Sequence, residues 1–450
     1  MVRLLRTPER KRLNPQNSKR PIAIDLFAGV GGLSLGFEQA GFDVVAAVEY
    51  DPIHCAIHEL NFPNCHVICA DVRELSGSEI RKRAGIGNAT VEVVVGGPPC
   101  QGFSLIGHRV LDDPRNGLVF HFLRMVEELK PRAFVMENVP GMATGEHTRL
   151  LSELIEGFQR AGYAVRIPPR ILNAANYGVP QDRRRLFLLG ARRGTALPDY
   201  PAPQSVLLSR SSSKGNGHAN LFDLPPCPTV WEAIGDLPNI DDYDVLLETD
   251  ELRVNARKPS RYATFLRNHS ADDDDYSYPR KFDERLLTGC QRAEHTPLSR
   301  KRFAATQPGT TEPVSRFFKL SKDGVCNTLR AGTASDRGAF SAPRPIHPVH
   351  PRCISVREAA RIHTYPDWFR FHGTIWHGFR QIGNSVPPLL GRAVASAVRE
   401  ALGRDAVKPS APVTLGSQEL ARFNMREAAA HFGVDPGVIA PRKRQCVAAD

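Results

Sequence analysis

No uninterrupted apolar run in this chain approaches the ~18 residues that a membrane-spanning helix needs. A helical membrane anchor is therefore not expected. No C-x-x-C pair occurs, and the nine cysteines are odd in number and irregular in spacing. A disulfide framework is not expected in so long a chain. No internal repeat is apparent. The stretch MVRLLRTPERKRLNPQNSKR lacks an apolar core and a small-residue cleavage site, so it does not read as a secretory signal. These absences lead to the expectation of a cytoplasmic protein with no membrane partner.

What the chain does have is length and positive charge. Its 450 residues are enough for two or three domains. The net charge of +11 suggests a polyanionic partner. Its distribution weakens that argument. The first twenty residues carry seven Lys and Arg against the single Glu9, a net of +6. Residues 1–20 are expected to form a basic flexible arm, and the remainder is only mildly basic. His54, His58, Cys65, His66 and Cys69 lie close in sequence and raise the question of zinc. Their spacing matches no common structural site. His54 and His58 fit a helix after Asp51-Pro52, and CHVICA fits a buried strand, so no metal is expected.

From Pro21, apolar runs alternate with helical stretches. PIAIDLFAG, FDVVAAVEY, CHVICADV, VEVVVGGPP and PRAFVMENV read as five strands, and RRRLFLLGARR as a later one. LSLGFEQAG, LVFHFLRMVEELK and TRLLSELIEGFQRAG read as helices. Val- and Ile-rich strands with crossover helices predict an α/β fold, its parallel sheet covered on both faces. Near residue 195 the character changes. From there to about residue 350 the chain is rich in Pro, Ser, Asp and Arg, with the low-complexity SVLLSRSSSKGNGHAN and the acidic ADDDDYSY. Order returns in SVREAARIHTYPDWF, a helix and turn, and in QIGNSVPPLLGRAVASAVREAL, a turn leading into a long helix. The tail beyond Gly403 holds one short helix, QELARFNMREAAAHFG, and has no evident role.

Ligands of parallel sheets bind at the carboxyl ends of the strands. Gly29, Glu49, Asp71, Cys100 and Glu137 all fall there. DLFAGVGG, residues 25–32, is a glycine turn of the kind that meets a nucleotide cofactor, but Ser34 stands where the strict dinucleotide fingerprint needs its third glycine. Glu49 is placed to take two ribose hydroxyls, and Asp71 to accept from an adenine amino group. NAD would suit Glu49, yet nothing clearly serves a second ribose. A cationic single nucleoside such as S-adenosylmethionine suits the acidic rim better.

In GGPPCQGFS, residues 96–104, Pro98 and Pro99 stiffen the backbone entering Cys100. That suits a nucleophile held in attack geometry, where about 1 Å of misplacement costs roughly a hundredfold in rate. A free cysteine is usually just buried, but the polar, turn-rich surroundings argue against that here. Glu137 would share a pocket with Cys100 if the fourth and fifth strands are neighbours. Arg183 and Arg185 in QDRRR lie on one side of an extended chain. Nucleophile, acid and anion-stabilising cations thus meet at strand ends.

This combination resembles the DNA cytosine-5 methyltransferase family, of the bacterial restriction–modification type. The carriers are DLFAGVGG, EYD (49–51), AD (70–71), GGPPCQGFS, ENV (137–139), QDRRR (181–185), REAARIHTYPD (357–367) and QIGNSVPP (381–388), in the family's order. They cover about residues 21–190 and 355–400. The resemblance implies a Rossmann-like S-adenosylmethionine-dependent sheet with a smaller, irregular target-recognition domain. The divisions expected are 21–194 for catalysis and cofactor, 195–368 for target recognition, 369–403 as a return segment, and 404–450 as an extension. The helix after QIGNSVPP is expected to pack beside the first strand.

By the same resemblance, Cys100 adds to C6 of a cytosine flipped out of duplex DNA, which activates C5 for methylation. Glu137 would bond N3 and the exocyclic amino group, Arg185 would contact O2, and Arg183 would help orient the site. Phe27, Gly29, Gly31, Gly32, Glu49, Tyr50, Asp71, Val72 and Pro98 would line the cofactor pocket, with Asn384 and Ser385 closing it and Tyr50 stacking on adenine. The segment from Gly102 to about Gly117 would be a mobile loop over the base. Gln101, Ser104, Arg330, Arg337 and Arg344 are candidate DNA contacts, to bases or to phosphates. Gly102-Phe103-Ser104 after PPCQ favours DNA over a tRNA substrate. A silent scaffold would have no use for Cys100, Glu137 and Arg185, and an NAD dehydrogenase does not explain PPCQG. The partners implied are double-stranded DNA and, if the enzyme is one half of a restriction–modification pair and not a solitary enzyme, a cognate restriction endonuclease that acts on the same site without a stable complex. A nucleoid-associated monomer is expected.

Overall fold

The computed structural model describes residues 19–99, 117–145, 147–207, 224–254, 259–267, 272–331 and 344–439. Five predicted strands form as read: β1 (Ile22–Leu26), β2 (Asp43–Glu49), β3 (His66–Cys69), β4 (Val93–Gly96) and β5 (Ala133–Asn138). They are parallel neighbours. Between and after them come α1 (Gly32–Gln39), α2 (Pro52–Asn61), α3 (Gly77–Arg83), α4 (Gly117–Leu129) and α5 (His147–Arg160). Then follow β6 (Tyr163–Val165), β7 (Arg170–Asn173), the two-residue β8 (Gln181–Asp182) and β9 (Arg184–Arg192). The main sheet runs β3-β2-β1-β4-β5-β9-β6, with β7 also on β9. The expectation of a parallel sheet needs correction at one edge. β9 is antiparallel to β5, β6 and β7. No crossover helix lies between β7 and β9, and without one a returning strand cannot run parallel to the strand it pairs with.

Alternate residues of each strand serve two cores. Ala23, Ala133 and Val135 face one, while Ile24, Leu26, Phe134 and Met136 face the other. The second core is closed by α3, α4 and α5, where Phe134 stacks on Phe158 with ring centroids 3.9 Å apart. The first is closed by α1, α2 and the later chain. Because β2 and β4 flank β1, strand order reverses there, and the carboxyl ends of these strands are where such sheets bind ligands.

The irregular segment yields only short elements: α6 (Val230–Ile234), β10 (Leu252–Arg253), α7 (Arg261–Arg267), β11 (Arg280–Lys281), β12 (Leu286–Leu287), α8 (Pro297–Ala305) and β13 (Cys326–Asn327). After it come α9 (Val356–Ile362), α10 (Ile375–Asn384), α11 (Pro388–Ala401), β14 (Val413–Thr414) and α12 (Met425–Phe432). A capping box of Ser355 and Glu358 starts α9. Three expectations change. QIGN is the last turn of α10, not a free turn. α11 packs on α1 instead of beside β1, because two glycines let the helices touch: a Cβ on Gly36 would lie 2.7 Å from the Gly391 carbonyl carbon. Arg20 is not part of a loose arm. It is buried, pairs with Asp43 at 2.9 Å and donates to the carbonyls of Glu38 and Phe42, so it is anchored in the fold.

Buried ion pairs tie the irregular segment to α9. Arg361 is fully buried and holds Asp236 at 2.5 Å and Asp367 at 2.6 Å. Among the described residues, no helix is long and apolar enough to cross a membrane.

Candidate active site

The glycine turn after β1 is supported from below. Ser34 Oγ donates to Asp25 at 2.6 Å, and His58 Nδ1 lies 3.3 Å from the Gly29 carbonyl. This explains the serine that breaks the dinucleotide fingerprint: its hydroxyl gives one oxygen of a buried carboxyl a partner. Burial pushes Asp25 up to about 7, Ser34 opposing the shift and Glu49 adding to it. Burial also pushes the His58 imidazole down to about 4, so it is neutral at physiological pH. Sequence reasoning missed Asp25 and His58 as supports, and Ser34 was the signal. Gly32 sits so close to the α10–α11 turn that a Cβ would be 2.4 Å from the Val386 carbonyl oxygen. Phe27 holds φ at 58°, a conformation that costs a bulky residue energy and marks functional sites. Gly29 and Gly31 also have positive φ, and a Cβ on Gly29 would meet nothing within 4 Å. Space is therefore open over Gly29, whereas Gly31 packs on Phe62, whose ring a Cβ there would approach to 2.4 Å.

Glu49 ends β2 beside this space. Its Oε2 accepts from the Gly29 N–H at 2.8 Å, and its Oε1 from the Asp51 N–H at 2.9 Å. Tyr50 is exposed, its hydroxyl donating to the Val438 carbonyl at 2.7 Å. Asp71 accepts from Arg73 Nε and from the Arg73 backbone N–H, both at 2.9 Å, and Val72 is buried. Arg73 was not read as a partner of Asp71, and in this state it occupies that carboxylate. Asn384 is exposed, while Ser385 is buried with its hydroxyl on the Ile382 carbonyl.

A second group lies at the ends of β4 and β5. Arg185 Nε meets Glu137 Oε1 at 2.9 Å. Burial raises the Glu137 pKa, and the guanidinium groups of Arg185 and Arg183 pull against that rise. A Cβ on Gly97 would stand 2.8 Å from Glu137 Oε2, so the Gly-Pro-Pro entry runs directly past this carboxyl. Asn138 pins the entry by donating to the Pro98 carbonyl at 3.1 Å. Cys100, Gln101, Ser104 and the loop from Gly102 up to residue 116 lie outside the described residues, as does Arg337.

Arg183 is placed differently from Arg185. It is buried and donates to the carbonyls of Leu329, Gly383 and Ser385 at 2.8, 2.9 and 2.8 Å. Burial and the neighbouring Arg185 both lower its pKa. It joins three segments, and its guanidinium is committed to the protein's own backbone. Nearby, β13 pairs with β8, and Gly383 presses on the backbone of Arg330 and Ala331. Arg330 is exposed at this junction. Arg344 is half-buried against the Phe379 ring at 5.5 Å, which makes it a poorer candidate for DNA than the sequence suggested.

A mostly parallel sheet, a supported glycine turn and acidic strand ends are consistent with a Rossmann-like methyltransferase. The family described as C-5 cytosine-specific DNA methylase matches residues 22–400, and the chain belongs to it. It is thus a DNA cytosine-5 methyltransferase. It is 57% identical over 425 residues to the type II methyltransferase M.XorII of Xanthomonas oryzae pv. oryzae, covering 94% of this chain and 95% of that one. It is 33% identical to the type II methyltransferase M.AgeI of Thalassovita gelatinovora, over 84% of this chain and 99% of the other. The crystal structure of a prophage-encoded DNA modification methyltransferase from E. coli superposes with a TM-score of 0.67 at 31% identity, over 85% of this chain and 99% of that one.

Proposed function

We propose that this enzyme methylates C5 of a cytosine flipped out of double-stranded DNA at a specific sequence, through a transient bond between Cys100 and C6. The observation that carries this reading is the Glu137–Arg185 pair, seated beside the Gly97-Pro98-Pro99 entry to Cys100. A base within a duplex cannot enter such a recess, so flipping is required. Cys100 acts as the thiolate, which Arg185 favours by its charge. Adding it at C6 breaks the aromaticity of the ring and makes C5 electron-rich. Glu137, its carboxyl raised by burial, donates to N3 and accepts from the exocyclic amino group, while Arg185 contacts O2. Loss of the C5 proton and of Cys100 restores the ring.

The residues at the glycine turn fit S-adenosylmethionine. Each Glu49 oxygen accepts one backbone N–H and keeps a lone pair for a ribose hydroxyl. Tyr50 offers an exposed ring face to adenine, and the open space over Gly29 leaves room for the nucleoside. Phe27, Gly31, Val72, Pro98 and Ser385 are the further wall, and Asn384 the exposed edge. Asp71 reaches the adenine amino group by giving up one contact to Arg73. When bound, S-adenosylmethionine supplies the electrophilic methyl group that C5 takes up.

Residues 21–194 and 369–403 form the catalytic unit and 195–368 the target-recognition unit, with Arg330 the favoured DNA contact among the described arginines. The type II naming of the relatives supports a cognate endonuclease acting on the same site, and a monomer working on cytoplasmic DNA is sufficient for this chemistry. Bisulfite sequencing of a methylation-free host tests the reading. The wild-type gene is expected to protect cytosines in one short sequence context. Glu137→Gln is expected to slow transfer by about 10²- to 10³-fold and leave that context unprotected. No protected context with the wild type would overturn the function, and full protection by Glu137→Gln would overturn the role of Glu137.

A further inference from the structure

The segment after α11 contains the feature that the catalytic account leaves unused. It follows α2 back along its length. The Gly416 N–H donates to the Leu60 carbonyl near the end of α2, and His431 on α12 meets Glu59 at 3.1 Å. Leu420, Ala428 and Ala429 are buried, and Phe423 and Phe432 pack on the main core. The loop before α10 is tied in as well, since His372 Nε2 lies 3.1 Å from the Phe423 carbonyl and the Gly373 N–H donates to the Ala421 carbonyl. Gly433, at φ 68°, then ends α12 and turns the chain. Asp435 caps the short turn Pro436–Val438, and the Val438 carbonyl takes the Tyr50 hydroxyl. The path thus ends at the start of α2, on the residue between Glu49 and the α2 cap Asp51.

We propose that residues 434–438 are a positioning element of the cofactor site: the Val438 carbonyl holds the Tyr50 ring upright so that its face is ready for adenine. This inference rests on the cofactor reading above. The Tyr50 side chain has two torsions and is exposed, so an anchor at its far end removes freedom that binding would otherwise have to remove. The bond joins the hydroxyl edge, and the side chain remains exposed. By reciprocity, a nucleoside on the ring must in turn steady residues 434–438.

The test is calorimetric titration of the full chain with S-adenosylhomocysteine. Tyr50→Phe, which keeps the ring, and a chain ending at Gly433 are each expected to raise Kd about three- to tenfold, the worth of one orienting hydrogen bond. The two changes together are expected to cost no more than either alone. In turnover, KM for S-adenosylmethionine rises and kcat stays level. Hydrogen exchange at residues 434–438 slows on adding S-adenosylhomocysteine to the wild type, and much less with Tyr50→Phe. Glu49→Ala separates the two readings. If it binds like the wild type, the cofactor site itself is wrong. If it binds weakly while Tyr50→Phe keeps the wild-type Kd, only the positioning role falls, and that outcome stands even where the shortened chain fails to fold.

Discussion

Cys100→Ser is expected to lower methyl transfer by at least about 10⁴-fold, while binding of S-adenosylhomocysteine stays within twofold of wild type. The reason is chemical. C5 of cytosine is a poor nucleophile until a group adds at C6. A thiolate does this near neutral pH, whereas a serine hydroxyl has no appreciable anionic fraction there. Geometry adds to the loss. The entry to residue 100 is fixed by two prolines and by the bond from Asn138 to the Pro98 carbonyl, a stiffness that would suit a group held for attack. Cofactor binding should survive because Glu49, Tyr50 and the Gly29 turn belong to other strand ends. Tritiated methyl incorporation into duplex DNA measures the first quantity, and calorimetry the second. Transfer by Cys100→Ser within tenfold of wild type would remove the nucleophile from the mechanism.

The second large effect is on stability. Arg361→Met is expected to cost about 3–5 kcal/mol. Its guanidinium is fully buried and holds Asp236, Asp367 and the Ala233 carbonyl at once. Removing it leaves two buried carboxylates short of a cation, and the worst outcome for a buried ion pair is loss of one partner. Asp236 keeps Arg267 at 2.5 Å and Asp367 keeps Arg357 at 3.7 Å, which places the expected cost near the lower end. The network joins α6 to α9, so the irregular segment should loosen first. Denaturant unfolding read by the combined fluorescence of Trp231, Trp368 and Trp376 would show an early transition. An unchanged midpoint would mean that these pairs contribute nothing to docking the segment.

Much of the fold was legible because its strands are buried on both faces. IAIDL and DVVAAVE can be little else than inner strands. The direction of β9 was not legible, since the centre of RRLFLLGAR is as apolar as the parallel strands β1 to β5 and only the connection through β7 reverses it. Glu49 and Glu137 were legible as strand-end carboxylates. The different fates of Arg183 and Arg185 were not. One finds Glu137; the other finds carbonyls of residues 329, 383 and 385, far along the chain, and no local pattern announces them. Ser34 was read as a fault in a glycine motif when it marks a buried hydrogen bond to Asp25. The pairing of Tyr50 with Val438 is equally hidden, because it depends on how α12 lies along α2.

The most direct measurement uses a DNA duplex with 5-fluorocytosine at the methylated position, once bisulfite sequencing has located it. Fluorine cannot leave as the C5 proton does, so the bond to the protein should persist after methyl transfer. Mass spectrometry of the digested complex is expected to find the modified nucleotide on the peptide containing Cys100, in amounts close to one per enzyme. Methyl transfer to the unmodified duplex with no such linkage to the fluorinated one, or with the linkage on another residue, would contradict the account.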